Sequence, residues 1–125
     1  MARKAITSKD GVAVGPYSHA IDAGELIYLS GQTPLDPTTG KLIIGSISDE
    51  TSRCLKNLGA VLESAGLDFG SVIKCNVYLT DMDYFAEMNH TYQEFFQEPY
   101  PARTTVAVAA LPLGARVEIE MVAKR

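Results

Sequence analysis

Three polar residues stand where their surroundings leave chemistry open to them. Arg103 lies in Tyr100-Pro101-Ala102-Arg103-Thr104-Thr105, at the entrance to a β-rich run. Its guanidinium is a rigid fork of donors that grips a carboxylate bidentately, as a lysine cannot. The ordinary alternative is a surface arginine in a loop. Glu118 lies in Arg116-Val117-Glu118-Ile119-Glu120-Met121, where strand alternation puts 116, 118 and 120 on one face and Val117, Ile119 and Met121 on the other. A carboxylate there can serve as a general acid/base, or it can belong to a solvated strand face with an Arg–Glu pair. Asn89 is four residues past Phe85, about 400° of helical rotation, so it falls ~40° from an apolar stripe. A polar amide on a core-facing stripe needs hydrogen-bond partners.

Other catalytic constellations are missing from the chain. There is no phosphate-binding glycine loop and no GxSxG elbow, so Ser18, Ser30 and His19 form no recognisable triad. His19 and His90 are too few and too poorly spaced with acids for a metal site. Cys54 and Cys75 match no zinc spacing and cannot make a disulfide framework; they read as reduced, buried small hydrophobes.

Something must position these residues. Residues 3–7 suit an edge strand and residues 26–30 a β-rich run that stops at Gly31. Residues 11–16, ending in Gly15-Pro16, and residues 33–40, with two prolines and Gly40, read as loop and turn. Cys54, Leu55, Leu58, Val61, Leu62 and Ala65 have helical spacing, with Ser48 as the expected N-cap, Asp49 and Glu50 in the first turn and Gly66 as the stop. In residues 71–80, Ile73, Cys75, Val77 and Leu79 share one face of a strand. A second helix is expected over 82–96, capped by Thr80 or Asp81, with the stripe Phe85, Met88, Tyr92, Phe95 and Phe96. Strands at 104–110 and 116–123 flank the Leu111-Pro112-Leu113-Gly114 turn. The order is β-β-β-α-β-α-β-β, one α+β domain over 1–125 with both helices on one face of the sheet. Tyr28 and Val106 signal apolar residues on the other face as well, so the chain is expected to hide that face in a homo-oligomer.

Composition narrows the function. Eleven Lys+Arg against fifteen Asp+Glu give a net charge of −4, which disfavours nucleic acid as a partner. With 46% hydrophobic and 21% charged residues the chain is ordinary globular protein. No apolar run is long enough to span a membrane, and residues 1–7 have no apolar core of a signal peptide, so a cytoplasmic location and no membrane partner are expected.

Taken together, Gly15-Pro16-Tyr17-Ser18, Tyr28-Leu29-Ser30-Gly31-Gln32, Asp36-Pro37 with Gly40, Phe85 through Phe96 with its central Asn89, Pro101-Ala102-Arg103-Thr104, and Ala110-Leu111-Pro112 leading into Val117-Glu118-Ile119-Glu120 resemble the RidA family over the whole chain. The family is also called YjgF, L-PSP or reactive intermediate/imine deaminases. The resemblance implies a chorismate-mutase-like fold and a homotrimer whose sheets form a central β-barrel. Sites would lie in clefts between neighbouring subunits. It implies hydrolysis of enamines and imines such as 2-aminoacrylate to 2-keto acids and ammonia, without metal or organic cofactor. Arg103 matches the residue that grips the substrate carboxylate and Glu118 the acid that positions the attacking water. Tyr17, Ser30 and Asn89 match pocket residues, and Gly31 a backbone contact. Thr105 falls where many members have cysteine. The alternatives are a small-carboxylate-binding or regulatory protein without turnover and, behind it, an RNA-acting translation inhibitor.

Overall fold

The computed structural model describes residues 2–8 and 15–125. Most of the loop expected at 11–16 falls outside them. Strands β1 (Lys4–Ile6), β2 (Ala20–Asp22), β3 (Leu26–Gln32), β4 (Val72–Leu79), β5 (Ala102–Ala107) and β6 (Val117–Lys124) form one mixed sheet in the order β1-β2-β3-β6-β4-β5. The β4–β5 pair is parallel, as a helical crossover between them permits, and the other pairs are antiparallel. Helices α1 (Ile47–Ser64) and α2 (Phe85–Gln93) complete the α+β fold. No helix among the described residues is long and apolar enough to cross a membrane.

The core follows from the two periodicities. From α1, Cys54, Leu55, Leu58, Val61 and Leu62 are buried, and they meet Ile27 and Leu29 of β3, Cys75, Val77 and Leu79 of β4, and Val117, Ile119 and Met121 of β6. Met88 and Tyr92 of α2 join the same cluster, so both helices cover one sheet face. Cys54 and Cys75 are free and buried as expected, and burial pushes both thiols above their ordinary range.

Local corrections concern ends and bulges. The N-cap of α1 is Ser46, not Ser48: Ser46 is extended, its hydroxyl accepts from the Asp49 amide at 3.0 Å, and Asp49 reciprocates as a capping box. Ser48 lies inside the helix, and its hydroxyl meets that of Thr91 at 2.6 Å, tying α1 to α2. Gly66, at φ 74°, ends the helical run as expected. The second helix is shorter than expected. A 3₁₀ turn over Met82–Tyr84, capped by the Asp81 carboxylate, precedes α2, and the helix stops at Gln93. Phe95 and Phe96 follow it and pack edge-on against Phe69, with centroids 5.6 and 5.4 Å away. Ile73 is 44% exposed rather than sharing the buried face, because a register shift between Val72 and Lys74 breaks the alternation.

The uncovered sheet face carries Tyr28, 51% exposed, and Val106, 40% exposed, as the alternation requires. Between them runs a polar ladder. Lys74 Nζ donates to Thr104 Oγ1 at 2.9 Å, Asn76 Nδ2 donates to Glu120 Oε1 at 3.4 Å, and the Tyr78 hydroxyl donates to the same oxygen.

Candidate active site

Glu118 sits at a point where β3 and β6 fall out of step. Leu29 pairs with Met121, but Gln32 pairs with Ile119, so β3 holds one extra residue at Ser30–Gly31. The bulge presses the Gly31 backbone against the Glu118 carboxyl. A Cβ on Gly31 would collide with the carboxylate oxygen and lie 3.0 Å from Cδ and 3.2 Å from Cγ, so glycine is the residue that admits the acid here. Ser30 is fixed from the opposite side: its hydroxyl donates to Ser18 O at 2.7 Å and its amide to His19 O at 2.9 Å. His19, buried, accepts the Ser8 amide on Nδ1 at 3.0 Å, which secures this connection to the N-terminal segment. Tyr17, Ser30, Gly31, Thr33, Pro112, Leu113, Glu118 and Glu120 line a cleft of about 460 Å³. Leu113 enters it from a left-handed turn, φ 62°, a backbone conformation that costs a non-glycine residue on the order of 1 kcal/mol.

Within this cleft Glu118 has no ion-pair partner among the described residues. Arg116, the expected neighbour on its strand face, turns away: its guanidinium pairs with the buried Glu50 of α1, donates to Gly45 O at 2.7 Å and lies over the Tyr84 ring. Burial, and secondarily the Glu120 charge, raises the Glu118 carboxyl above its ordinary range. A half-buried carboxyl made reluctant to ionise is suited to carrying a proton.

Arg103 occupies a different part of the chain. Along the sheet it is level with Cys75 and Met121, whereas Glu118 is level with Tyr78 and Val106. The two are three residues and two strands apart, on the order of 14 Å between Cα atoms. They also face opposite ways. Arg103 stacks over Tyr92 of α2 at 4.7 Å and Phe85 at 5.7 Å on the helix side, and Glu118 points to the uncovered side. Among the described residues Arg103, half-buried, makes no ion pair. Asn89 is half-buried on the α2 stripe that holds Phe85 and Tyr92, and no hydrogen bond satisfies its amide among the described residues. Thr105, two residues along β5 on the same face as Arg103, has a buried hydroxyl without a partner.

The residues singled out by sequence therefore fall into two groups within the chain. Tyr17, Ser30, Gly31 and Glu118 share one cleft; Arg103, Asn89 and Thr105 cluster where β5 meets α2. Sequence reasoning passed over Glu120 and Leu113 as site residues. Glu120 follows Glu118 by two, which placed it on the same face; Leu113 enters through a turn whose geometry no residue pattern announced.

The chain belongs to the RidA/YjgF family. A family model described as Endoribonuclease L-PSP matches residues 7–125. A protein of Mus musculus named 2-iminobutanoate/2-iminopropanoate deaminase is 48% identical over 122 residues, covering 97% of this chain and 90% of its own. The crystal structure of RidA from an Antarctic Psychrobacter superposes with a TM-score of 0.93 at 42% identity, covering 98% of this chain and 100% of its own. That of E. coli TdcF with bound serine gives a TM-score of 0.91 at 39% identity, with 98% of each chain covered.

Proposed function

We propose that the protein is an enamine/imine deaminase that hydrolyses small 2-imino acids to 2-keto acids and ammonia, in sites completed between subunits of a homotrimer. The observation that carries this reading is Arg103: a half-buried guanidinium lying over the Tyr92 and Phe85 rings, with no anionic partner among the described residues. Such a cation is prepared for a carboxylate brought by a ligand. The Thr105 hydroxyl, without a partner, and the Asn89 amide, on the α2 stripe with Phe85 and Tyr92, are further hydrogen-bonding groups of this region.

Arg103 and Glu118 face opposite sides of one sheet, so a single protomer does not bring them onto one small substrate. A neighbour does so if the β5–α2 region of one protomer closes over the Glu118 cleft of the next. The exposed Tyr28 and Val106 support burial of this face in an oligomer. A head-to-tail seam closes into a ring, and three copies produce three equivalent sites.

The chemistry follows from the groups. 2-Aminoacrylate tautomerises to 2-iminopropanoate, whose C=N carbon is already electrophilic. Arg103 holds the carboxylate and so fixes that carbon. Glu118 takes a proton from water as the C–O bond forms and passes it to the imine nitrogen, which gives the carbinolamine. As that intermediate collapses, Glu118 takes the hydroxyl proton while the C=O bond forms and returns it to the departing nitrogen, so the C–N bond breaks, ammonia leaves and Glu118 is again a carboxylate. The net change is imine plus water to keto acid plus ammonia.

The test is to generate 2-aminoacrylate from serine with a dehydratase and follow pyruvate formation. Acceleration over the dehydratase alone is expected. Saturable 2-keto-acid binding by calorimetry, with no acceleration for any imine, would instead identify a carboxylate-binding protein. The Gly31–Glu118 contact adds a sharper expectation. Gly31→Ala forces the Glu118 carboxyl to move and lowers kcat/KM by about tenfold or more, since small displacements of a catalytic group are costly. Wild-type turnover in that variant would show that Glu118 acts from elsewhere.

A further inference from the structure

Glu120 is a second carboxylate in the Glu118 cleft, and nothing in the reaction above uses it. It follows Glu118 by two residues on β6, ~7 Å away along the strand and on the same face. Its position is fixed. Tyr78 O–H and Asn76 Nδ2–H both donate to Oε1, so this oxygen accepts from two residues of β4 at once. Lys74, the nearest cation along that ladder, is engaged with Thr104 instead. The negative charge of Glu120 is thus pinned beside Glu118 with no Lys or Arg among the described residues lining the cleft.

We propose that Glu120 is a positioning residue for Glu118: clamped by Tyr78 and Asn76, it keeps a fixed negative charge beside the catalytic carboxyl and so suits that carboxyl to take up and return a proton. The proposal rests on the imine-hydrolysis reading for its purpose, but the electrostatic coupling stands on geometry. The titratable groups facing Glu118 are few. Tyr78 lies opposite it on β4, Tyr17 on the cleft rim, Glu120 on its own strand, and Cys54 of α1 behind the sheet. Cys54 is a buried thiol with its proton affinity raised, and Tyr78 is pushed up to about 12, chiefly by its bond to Glu120. Both stay neutral near pH 7, which leaves Glu120 as the charge that Glu118 feels. The same charge favours a substrate that reaches the cleft protonated on nitrogen, as an iminium, over the neutral imine.

The experiment pairs two readouts. In protein labelled with ¹³C at glutamate carboxyls, the Glu118 resonance is assigned by its loss in Glu118→Gln and titrated in wild type, Glu120→Gln and Tyr78→Phe. The acidic limb of kcat/KM is measured in the same proteins. Removing a like charge lowers the pKa, so Glu120→Gln shifts both the titration and the limb to lower pH, on the order of half a unit or more. Tyr78→Phe unclamps Glu120 while keeping its charge and shifts both the same way by less; it also serves if Glu120→Gln folds poorly. An unmoved Glu118 titration overturns the coupling, and a moved titration with an unmoved limb overturns the catalytic role. A wild-type protein inert toward imines would fail the functional reading instead, and the titration would still decide the coupling.

Discussion

Arg103→Ala is expected to lower kcat/KM for 2-aminoacrylate hydrolysis by about 100-fold or more while leaving the fold in place. The magnitude follows from two charge-assisted hydrogen bonds to one carboxylate, each contributing about 1.5–3 kcal/mol, together with the loss of orientation. The surroundings of Arg103 make this a clean experiment. Its guanidinium lies on Tyr92 and Phe85 and joins no ion pair among the described residues, so truncation strands no buried partner charge. Arg103→Lys keeps the charge but loses the fork and most of the stacking, and about a tenfold or larger deficit is expected from it as well. Steady-state kinetics with dehydratase in excess, set beside thermal unfolding of each variant, is the check. Wild-type kinetics in Arg103→Ala would remove the substrate anchor from the account.

Glu118→Gln has the other large effect. Glutamine preserves the contact with Gly31 but carries no proton, and general acid–base contributions of about 10²- to 10⁴-fold are at stake. The pH dependence carries a sign. Burial and Glu120 raise the Glu118 pKa, so the carboxylate needed to accept a proton from water is lost at a higher pH than for a free glutamate. The acidic limb of the wild-type profile is therefore expected above the ordinary glutamate value of about 4.3, with activity falling as pH drops through it. In Glu118→Gln that limb disappears from the residual rate. A limb that persists unchanged would assign it to another group.

Much of this arrangement was open to sequence reading because it rests on local periodicity. The apolar residues of α1 and the alternation of β6 suffice to place the core and to aim Glu118 and Glu120 to one side. What escaped depends on backbone geometry or on distant partners. Ser46 and Ser48 are equally good caps by type; the reciprocal bonds between Ser46 and Asp49 decide between them. Three strands precede α1 as expected, but β2 spans only Ala20–Asp22, too short for a periodic signal to locate it. The bulge at Ser30–Gly31 was invisible, although it brings the Gly31 backbone against Glu118. Arg116 seemed a natural partner for the glutamates on its strand face, but Glu50 of α1 claims it through a contact across 66 positions of chain. Arg103 and Glu118 were recognised as a pair through family resemblance; that they face opposite sides of one sheet required the topology.

The central claim is that one site takes its guanidinium and its carboxylate from different protomers, and complementation tests it directly. Arg103→Ala and Glu118→Gln proteins, each nearly inactive, are unfolded together in equal amounts and refolded so that subunits exchange, with exchange verified by native mass spectrometry. In a ring of three with random mixing, three-quarters of the assemblies are mixed, and each mixed ring holds one seam with both groups intact. Activity is therefore expected to return to about a quarter of wild type. Verified mixed assemblies with no recovered activity would place both groups of each site on one chain and contradict the account.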